Sequence, residues 1–242
     1  MDSYETLGDG CRIYTSKEHT FGTDAFLLAD FAKARRKDTV VDLGTGCGII
    51  AMLIRLRYGS ADVWGVDIQQ QAIDQFDRSV ADSKIDRIHP VLMDIKEIGA
   101  PLPVGRCDLV TCNPPYKAVG AGMVSEAAAE KIARHETACD IDDICRGAAK
   151  LLRYGGRLCL CNRPERLADL ICSMRAADIE PKRLRFVSKD ECTPPWLFLI
   201  EGRKGGRPFM TVESPLYMKT GGISQELAMI YGMDSEEKGS VK

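Results

Sequence analysis

Residues 39–48 have the sequence Thr-Val-Val-Asp-Leu-Gly-Thr-Gly-Cys-Gly, the pattern from which the fold is predicted most directly. The apolar first half predicts a buried strand, and the glycine-rich second half predicts a tight turn. A helical pattern follows, which is the setting that a nucleotide-binding turn requires. The dinucleotide pattern needs its third glycine at position 49, where this chain has Ile49, so the turn does not fit a dinucleotide.

The acidic residue before the turn narrows the choice of ligand. Asp42 lies two residues before Gly44 and would repel the phosphates of a dinucleotide. The same carboxylate suits a ligand that carries an ammonium group and a sulfonium. We therefore expect Asp42 and the three glycines, Gly44, Gly46 and Gly48, to bind such a ligand.

From residue 39 onward the sequence alternates between strand and helix patterns, which predicts a parallel sheet with helices on both faces. Five strands are expected at 39–43, 62–67, 88–93, 107–112 and 157–161, and four helices at 49–58, 70–82, 140–152 and 164–177. Two further strands, 181–187 and 196–201, have no helix between them and predict an antiparallel hairpin at the edge. The predicted class is α/β, a Rossmann-like doubly wound sheet of seven strands.

Short segments flank this core. Residues 8–16 predict a small ribbon or cover, and residues 21–32 predict a helix with Thr23 or Asp24 as its N-cap. The exposed start of a helix is also a site for an anion, so Thr23 and Asp24 are candidate ligand contacts. We expect one domain, with a cover and helix at 1–38, the core at 39–202 and an extension at 203–242.

Two more aspartates follow neighbouring strands, and the carboxyl ends of parallel strands meet at one ligand crevice. Asp67 lies 23 residues beyond Gly44 and is placed to accept hydrogen bonds from both hydroxyls of a ribose. Asp94 is placed to accept from an adenine amino group, and Ile68 and Ile95 offer apolar contact to the ring faces. The crevice is therefore predicted to bind a nucleoside.

Residues 113–116, Asn-Pro-Pro-Tyr, follow the fourth predicted strand. Two successive prolines forbid helix and hold the chain extended. The side-chain oxygen of Asn113 and the carbonyl of Pro114 are then two acceptors for a planar NH2 group, on which Tyr116 is placed to stack. Such positioning lets a weakly nucleophilic amine attack a methyl group without a strong base. We therefore assign Asn113, Pro114, Pro115 and Tyr116 to catalysis, and we count Asn113 among the cofactor-binding residues as well.

The composition of the 242 residues is that of an ordinary globular protein, with 45% hydrophobic and 28% charged residues. The net charge of -2 gives no overall basic signature for nucleic acid, although a local patch would suffice. The ten cysteines contain no C-x-x-C pair, which favours reduced structural thiols over disulfides or a metal site. Since no signal peptide or membrane-spanning run is evident, we expect a cytoplasmic protein. We also expect a monomer without a metal.

The glycine turn with its preceding aspartate, together with the Asn-Pro-Pro-Tyr segment, resembles the class I S-adenosylmethionine-dependent methyltransferases. The resemblance covers about residues 21–202. It implies that S-adenosylmethionine is the cofactor and that the glycine turn passes beneath its methionine part. It also implies that Asp67 binds the ribose and that Asp94 contacts the adenine.

The Asn-Pro-Pro-Tyr motif occurs both in enzymes that methylate adenine N6 and in enzymes that methylate a glutamine side chain of release factors. Three flanking segments of the chain resemble a bacterial family of tRNA adenine N6-methyltransferases that modify A37, in the anticodon loop of a valine tRNA. These segments are residues 21–28, 133–136 and 201–208. The resemblance implies N6-methylation of an adenine in tRNA, and N5-methylation of a protein glutamine is the alternative.

Residues 182–207 contain seven basic and three acidic side chains, a local net charge of +4 that predicts an RNA-facing surface on the hairpin. A solvated face is the alternative interpretation of such a run. The residues assigned to contact with RNA or the substrate are Arg203, Lys204 and Arg207, together with Arg134 and His135 in the loop after the motif.

Two functions from other classes also fit a glycine turn that joins a strand to a helix. The chain could be a non-catalytic cofactor-binding module or an NAD-type oxidoreductase. Calorimetry separates these alternatives, since tight binding of NAD without binding of a sulfonium ligand contradicts a methyltransferase.

Overall fold

The computed structural model of the chain describes residues 3–7, 10–16, 19–59, 62–115, 140–218 and 224–232. Tyr116, Arg134 and His135 lie outside these residues, and their assigned roles stay predictions. The described strands are β1 (Ser3–Thr6), β2 (Arg12–Thr15), β3 (Thr39–Leu43), β4 (Asp62–Asp67), β5 (Ile88–Leu92), β6 (Cys107–Cys112), β7 (Leu152–Asn162), β8 (Ile179–Ser188), β9 (Leu197–Lys204), β10 (Thr211–Val212) and β11 (Leu216–Tyr217). The described α-helices are α1 (Thr23–Phe31), α2 (Ile49–Tyr58), α3 (Gln70–Ser83), α4 (Ile141–Leu151), α5 (Leu167–Ala176) and α6 (Gln225–Tyr231).

The main sheet has the strand order β10-β8-β9-β7-β6-β3-β4-β5, and β11 also pairs with β8. The strands from β3 to β7 are parallel to one another wherever they pair. β9 lies between β7 and β8 and is antiparallel to both. The predicted α/β class, the doubly wound parallel core and the antiparallel hairpin are therefore confirmed.

The sheet differs from the prediction at its β8 end. Two strands of two residues each, β10 and β11, pair in parallel with β8, so the sheet has nine strands where seven were expected. Two-residue strands are too short to produce an alternating apolar pattern, which is the signal that predicts a strand.

The direction of the strand order reverses at β3, whose neighbours are β4 on one side and β6 on the other. In doubly wound sheets ligands bind beyond the carboxyl ends of the strands at such a reversal. Leu43, the last residue of β3, is paired with Cys112, the last residue of β6. The glycine turn and Asn113 therefore leave the sheet side by side.

Most core elements have the predicted limits, and α2 and β4 agree at both ends. β7 is the main exception, because it begins at Leu152 and not near residue 157. A register shift in its pairing with β6 absorbs the extra residues, and Gly155 adopts a positive φ of 76° there. A bulge of this kind interrupts the alternation that the sequence pattern relies on. The helix predicted to begin at residue 164 instead begins with a 3₁₀ turn, Pro164–Arg166, which precedes α5.

The predicted N-terminal ribbon is formed by the antiparallel pair β1 and β2, and it begins at Ser3. It packs on α3, where the amide of Tyr14 donates to Ser79 Oγ and the amide of Arg12 to Ser83 Oγ, both at 2.9 Å. The ribbon is therefore held to α3 by backbone hydrogen bonds to buried or half-buried serine hydroxyls.

The C-terminal end of α1 is fixed to the sheet by a buried arginine. Arg157 of β7 donates to the carbonyl of Ala32 at 2.7 Å, to Asp38 Oδ2 at 3.1 Å and to Glu201 Oε2 at 3.2 Å. A buried guanidinium is tolerated only with such partners, since an unpaired charge would cost several kcal/mol. The network holds α1 in one position across the sheet.

The described cysteines are mostly core residues, as the alternating pattern predicts. Seven of the nine are buried and all nine are free thiols, the exposed pair being Cys172 and Cys192. Within the described ranges, no helix has the length and apolar character needed to cross a membrane.

Candidate active site

The candidate site is built around the glycine turn between β3 and α2. All three glycines have positive φ, 66° at Gly44, 55° at Gly46 and 83° at Gly48, a region that side chains with a Cβ rarely adopt. A Cβ at Gly44 or Gly46 would meet no atom within 4 Å, so the turn leaves open space above these two residues. A Cβ at Gly48 would lie 2.0 Å from the ring of Phe76, so this glycine is needed for packing.

Asp42 lies beneath the turn and holds it to the sheet. Its side chain is buried, and its two carboxylate oxygens accept hydrogen bonds from the hydroxyls of Thr45 and Thr111, both at 2.7 Å. The hydroxyl of Thr111 in β6 thus connects the two strands that border the crevice. Sequence reasoning did not identify either threonine. Because the carboxylate faces inward, Asp42 is placed to support the turn, and its predicted contact with a ligand ammonium group stays a prediction.

Burial raises the pKa of Asp42 to about 7; the hydrogen bonds from Thr111 and Thr45 oppose this rise, and the charge of Asp67 adds to it. The folded protein therefore keeps a proton that the unfolded chain, with a pKa of 3.8, has lost. This contribution to stability is complete below the unfolded pKa and disappears as the pH rises through about 7.

We therefore expect the free energy of unfolding to fall between about pH 4 and pH 7, by at most about 1.4 kcal/mol per pH unit for this one proton. In Asp42→Asn this part of the slope should be absent, since the amide does not titrate. Urea titrations of both proteins across this range measure it. An identical slope in both proteins would show that Asp42 does not titrate in this window.

Asp67 ends β4 and reaches back to the glycine turn. Its Oδ2 accepts from the amide of Gly46 at 2.9 Å, and its Oδ1 accepts from the amide of Gln69 at 3.0 Å. These two bonds fix the carboxylate at the rim of the crevice, next to the open space above Gly46. The neighbouring Ile68 is half exposed, which leaves an apolar face beside the carboxylate.

Asp94 follows β5 and caps a short 3₁₀ turn, Ile95–Glu97, by accepting from the amide of Lys96 at 2.9 Å. Ile95 packs partly against the core on the α4 side, where a Cβ at Gly147 would lie 2.9 Å from its side chain. The structure thus places both residues beyond β5, at the strand end that the prediction required. Their contacts with an adenine stay predictions.

Asn113 is oriented by two partners that the sequence did not reveal. Its Nδ2 donates to Asp24 Oδ2 at 2.9 Å, and its Oδ1 accepts from Cys161 Sγ at 3.1 Å. Asp24 is 89 residues earlier in the chain, and Cys161 belongs to β7, the strand beside β6. A link of this kind between distant residues has no signature in a single sequence.

The start of α1 differs from the prediction, because its N-cap is Gly22, which has no side chain that could form a capping hydrogen bond. Thr23 and Asp24, the predicted caps, are the first two residues of the helix. Asp24 Oδ1 accepts from the next amide, that of Ala25, at 3.1 Å, while its other oxygen binds Asn113. Thr23 Oγ1 lies 3.3 Å from the hydroxyl of Tyr231 in α6, a contact that also joins distant parts of the chain.

Two of the basic hairpin residues, Arg203 and Lys204, lie away from the crevice. Cys112, at the crevice edge, is paired with Leu160 of β7. Arg203 is paired with Arg157, which precedes Leu160 by three residues, so Arg203 lies about 10 Å from the crevice edge along the strands. Lys204 follows it in the same direction, and its Nζ donates to the carbonyls of Ala149 and Leu152.

Most of the remaining charges on the hairpin are also taken up within the protein. Arg183 pairs with Glu201 and Glu213, and Arg185 pairs with Glu226. Lys182 donates to three backbone carbonyls, including that of Arg207. Two acids outside the counted segment, Glu213 and Glu226, therefore offset part of the local excess of positive charge, and the ammonium groups of Lys182 and Lys204 are held by backbone carbonyls.

Comparisons with known proteins agree with the fold. Residues 10–171 match the methyltransferase small domain family. A protein of Parabacteroides distasonis named tRNA1(Val) (adenine(37)-N6)-methyltransferase is 30% identical over 181 residues, which are 74% of this chain and 75% of that protein. A protein of the same name from Tolumonas auensis is 28% identical over 201 residues, 82% of this chain and 81% of its own length.

Solved structures with the same fold include a predicted O-methyltransferase from Agrobacterium tumefaciens. It is 21% identical, has a TM-score of 0.70, and the match covers 86% of this chain and 95% of that one. A geranyl diphosphate methyltransferase in complex with S-adenosylmethionine has a TM-score of 0.55 at 15% identity, over 75% of this chain and 84% of that one. The chain belongs to the methyltransferase small domain family and is an S-adenosylmethionine-dependent methyltransferase.

Proposed function

We propose that this methyltransferase transfers a methyl group to N6 of an adenine in tRNA, with A37 in the anticodon loop as the target position. The observation that carries the proposal is the position of Asn113 and Pro114, which leave β6 beside the glycine turn. The names of the relatives suggest the substrate, since they specify adenine 37 of a valine tRNA. We propose further that the chain acts as one domain, and in the cytoplasm, where tRNA is modified.

The residues of the crevice fit S-adenosylmethionine. Gly44 and Gly46 offer a surface of backbone with open space above it, which a ligand can approach closely. The Asp67 carboxylate beside this surface suits the two hydroxyls of a ribose, and the exposed face of Ile68 suits an adenine ring. We propose that Asp94 and Ile95 complete the adenine pocket, and that Thr23 at the start of α1 contacts the methionine part.

When bound, the cofactor supplies an electrophilic methyl group. The task of the protein is then to present an exocyclic amine whose lone pair is delocalised into its ring. Asn113 Oδ1 and the carbonyl of Pro114 accept the two N–H hydrogens and so direct the lone pair toward the methyl group. On accepting the methyl group that the sulfonium would give up, the amine nitrogen would become positive and would then release one proton to solvent. The two acceptors favour that charge, so no strong base is required.

An anticodon loop suits this chemistry because its bases are partly unstacked. Extruding such a base costs less than extruding one from a duplex, where unstacking and unpairing cost a few kcal/mol. We propose that Tyr116 stacks on the extruded base and that Arg134 and His135 contact it or its neighbours. Arg203, which lies away from the crevice, and Arg207 are proposed to contact tRNA outside the anticodon loop.

The proposal is tested with purified protein, labelled S-adenosylmethionine and an unmodified valine tRNA transcript. We expect N6-methyladenosine at position 37 by mass spectrometry, and no product with a transcript in which A37 is replaced by G. Methylation of a release factor glutamine together with an unmodified tRNA would contradict the proposal and favour the glutamine alternative.

A further inference from the structure

We propose that Asp24 is a positioning residue that determines which end of the Asn113 side-chain amide faces the substrate. This inference rests on the proposed function, because it concerns the acceptor that holds the substrate amine. It also changes the role predicted for Asp24 from contact with the cofactor to control of the catalytic asparagine.

The chemistry of the two groups fixes the orientation. An ionised carboxylate only accepts hydrogen bonds, so the Asn113 atom that lies 2.9 Å from Asp24 Oδ2 has to be the NH2 group. The amide oxygen then points to the opposite side, where it lies 3.1 Å from Cys161 Sγ. A thiol is a weak donor, so it agrees with this orientation but does not impose it. The carboxylate is the group that decides between the two orientations.

The start of α1 is built to hold this carboxylate in place. The N-cap Gly22 has extended backbone, and a Cβ there would lie 2.8 Å from Asp24 Oδ1, so only glycine leaves room for the side chain as it is placed. The same oxygen accepts from the amide of Ala25 at 3.1 Å. At its other end α1 is held by Arg157, which donates to the carbonyl of Ala32. Asp24 therefore belongs to a helix that is fixed at both ends.

The orientation matters because the oxygen of a side-chain amide accepts hydrogen bonds, whereas its NH2 group donates them. In the observed orientation Asn113 offers its oxygen, which accepts an N–H of the substrate and favours the positive nitrogen of the transition state. If the amide were reversed, its NH2 group would face the substrate NH2, donor against donor. Asp24 thus makes the site selective for a group that donates, such as an exocyclic amine.

Two single substitutions and their combination test the inference through coupling. Asn113→Asp alone sets two carboxylates about 3 Å apart, where both cannot remain ionised, so methyl transfer should be strongly reduced. Adding Asp24→Asn places an NH2 group at position 24, which donates to one oxygen of the new carboxylate at position 113. The second oxygen of that carboxylate remains free for the substrate. We expect the double variant to be at least about tenfold more active in kcat than Asn113→Asp alone, a sign of direct coupling.

Asp24→Ala complements this test by separating kcat from cofactor binding. We expect kcat to fall by about tenfold or more, since a misplaced reacting group loses up to 10²-fold. The Kd for S-adenosylmethionine, measured by calorimetry, should change by less than about threefold, as expected for an interaction outside the cofactor site. Asp30→Asn, which removes a charge from the same helix six residues later, is the matched control.

Several outcomes would overturn the inference. A double variant no more active than Asn113→Asp, or an Asp24→Ala protein that loses cofactor affinity but keeps kcat, would show that Asp24 does not act through Asn113. The side-chain NH2 signals of Asn113 in NMR give a test that needs no substrate. They should shift in Asp24→Ala and not in Asp30→Asn, and unchanged signals would contradict the inference even if wild-type protein did not methylate tRNA.

Discussion

Replacing Asn113 by alanine should remove nearly all methyl transfer while leaving S-adenosylmethionine binding intact. The substitution deletes one of the two acceptors that position the substrate amine. Loss of one preorganised polar group in a catalytic site commonly costs about 10²–10³-fold in kcat, and we expect a loss of this size. The Gly46 amide links the glycine turn to Asp67, whereas Asn113 is linked to Asp24 on α1, so cofactor affinity should stay within about threefold of wild type by calorimetry.

Asn162→Ala provides the matched control for this prediction. Asn162 ends β7 in the same sheet, and its Oδ1 accepts from the amide of Arg163. Losing that bond should lower stability slightly, by about 1 kcal/mol, and leave kcat of the folded protein near wild type. If Asn162→Ala were as inactive as Asn113→Ala, the loss would reflect disturbed strand ends. If Asn113→Ala kept full activity, its catalytic role would be refuted.

The sequence predicts those site residues whose position is set by the end of the strand directly before them. Leu43 and Cys112 each close an apolar run, and the parallel arrangement makes the turn and Asn113 neighbours without further information. Asp67 was identified for the same reason. Local pattern is enough here because the carboxyl ends of parallel strands meet at one edge.

The parts that the sequence did not reveal depend on pairs of distant residues. The Asp24 to Asn113 hydrogen bond spans 89 positions, and that between Asn113 and Cys161 spans 48. Asp24 looked like a helix cap because an aspartate near a helix start usually is one. Only the packing of α1 against the sheet shows that Gly22 takes the cap position and that one oxygen of the Asp24 carboxylate binds Asn113.

The basic hairpin shows why a charge count is a weak guide to a nucleic-acid surface. The segment has a net charge of +4, but the acids that neutralise Arg183 and Arg185 include Glu213 and Glu226, which lie outside it. The count also treats every lysine as exposed, whereas Lys204 binds two backbone carbonyls near the end of α4. Tertiary pairing therefore changes what the count predicts.

The second large effect is expected from the glycine turn, where two alanine substitutions should separate folding from cofactor binding. Phe76 of α3 is fully buried between the turn and β4, and a Cβ at Gly48 or Gly65 would lie 2.0 Å or 2.4 Å from its ring. Gly48→Ala therefore forces the ring to move and also places alanine at a φ of 83°. Overpacking costs about 1–3 kcal/mol and the left-handed backbone about 1–2 kcal/mol, so we expect a loss of roughly 2–5 kcal/mol in urea unfolding.

Gly46→Ala should behave differently, although its φ of 55° carries the same backbone cost of about 1–2 kcal/mol. A Cβ at Gly46 meets no protein atom within 4 Å, so the folded protein should tolerate it. That open space is where the proposed cofactor lies, and a methyl group there should weaken binding of S-adenosylmethionine by at least about tenfold, or 1.4 kcal/mol.

In Gly48→Ala with Phe76→Leu, part of the lost stability should return because the smaller side chain makes room for the methyl group. If Gly46→Ala bound S-adenosylmethionine as tightly as wild type, the cofactor could not lie against the turn. If Gly48→Ala were no less stable than Gly46→Ala, contact with Phe76 would not be what requires glycine at position 48.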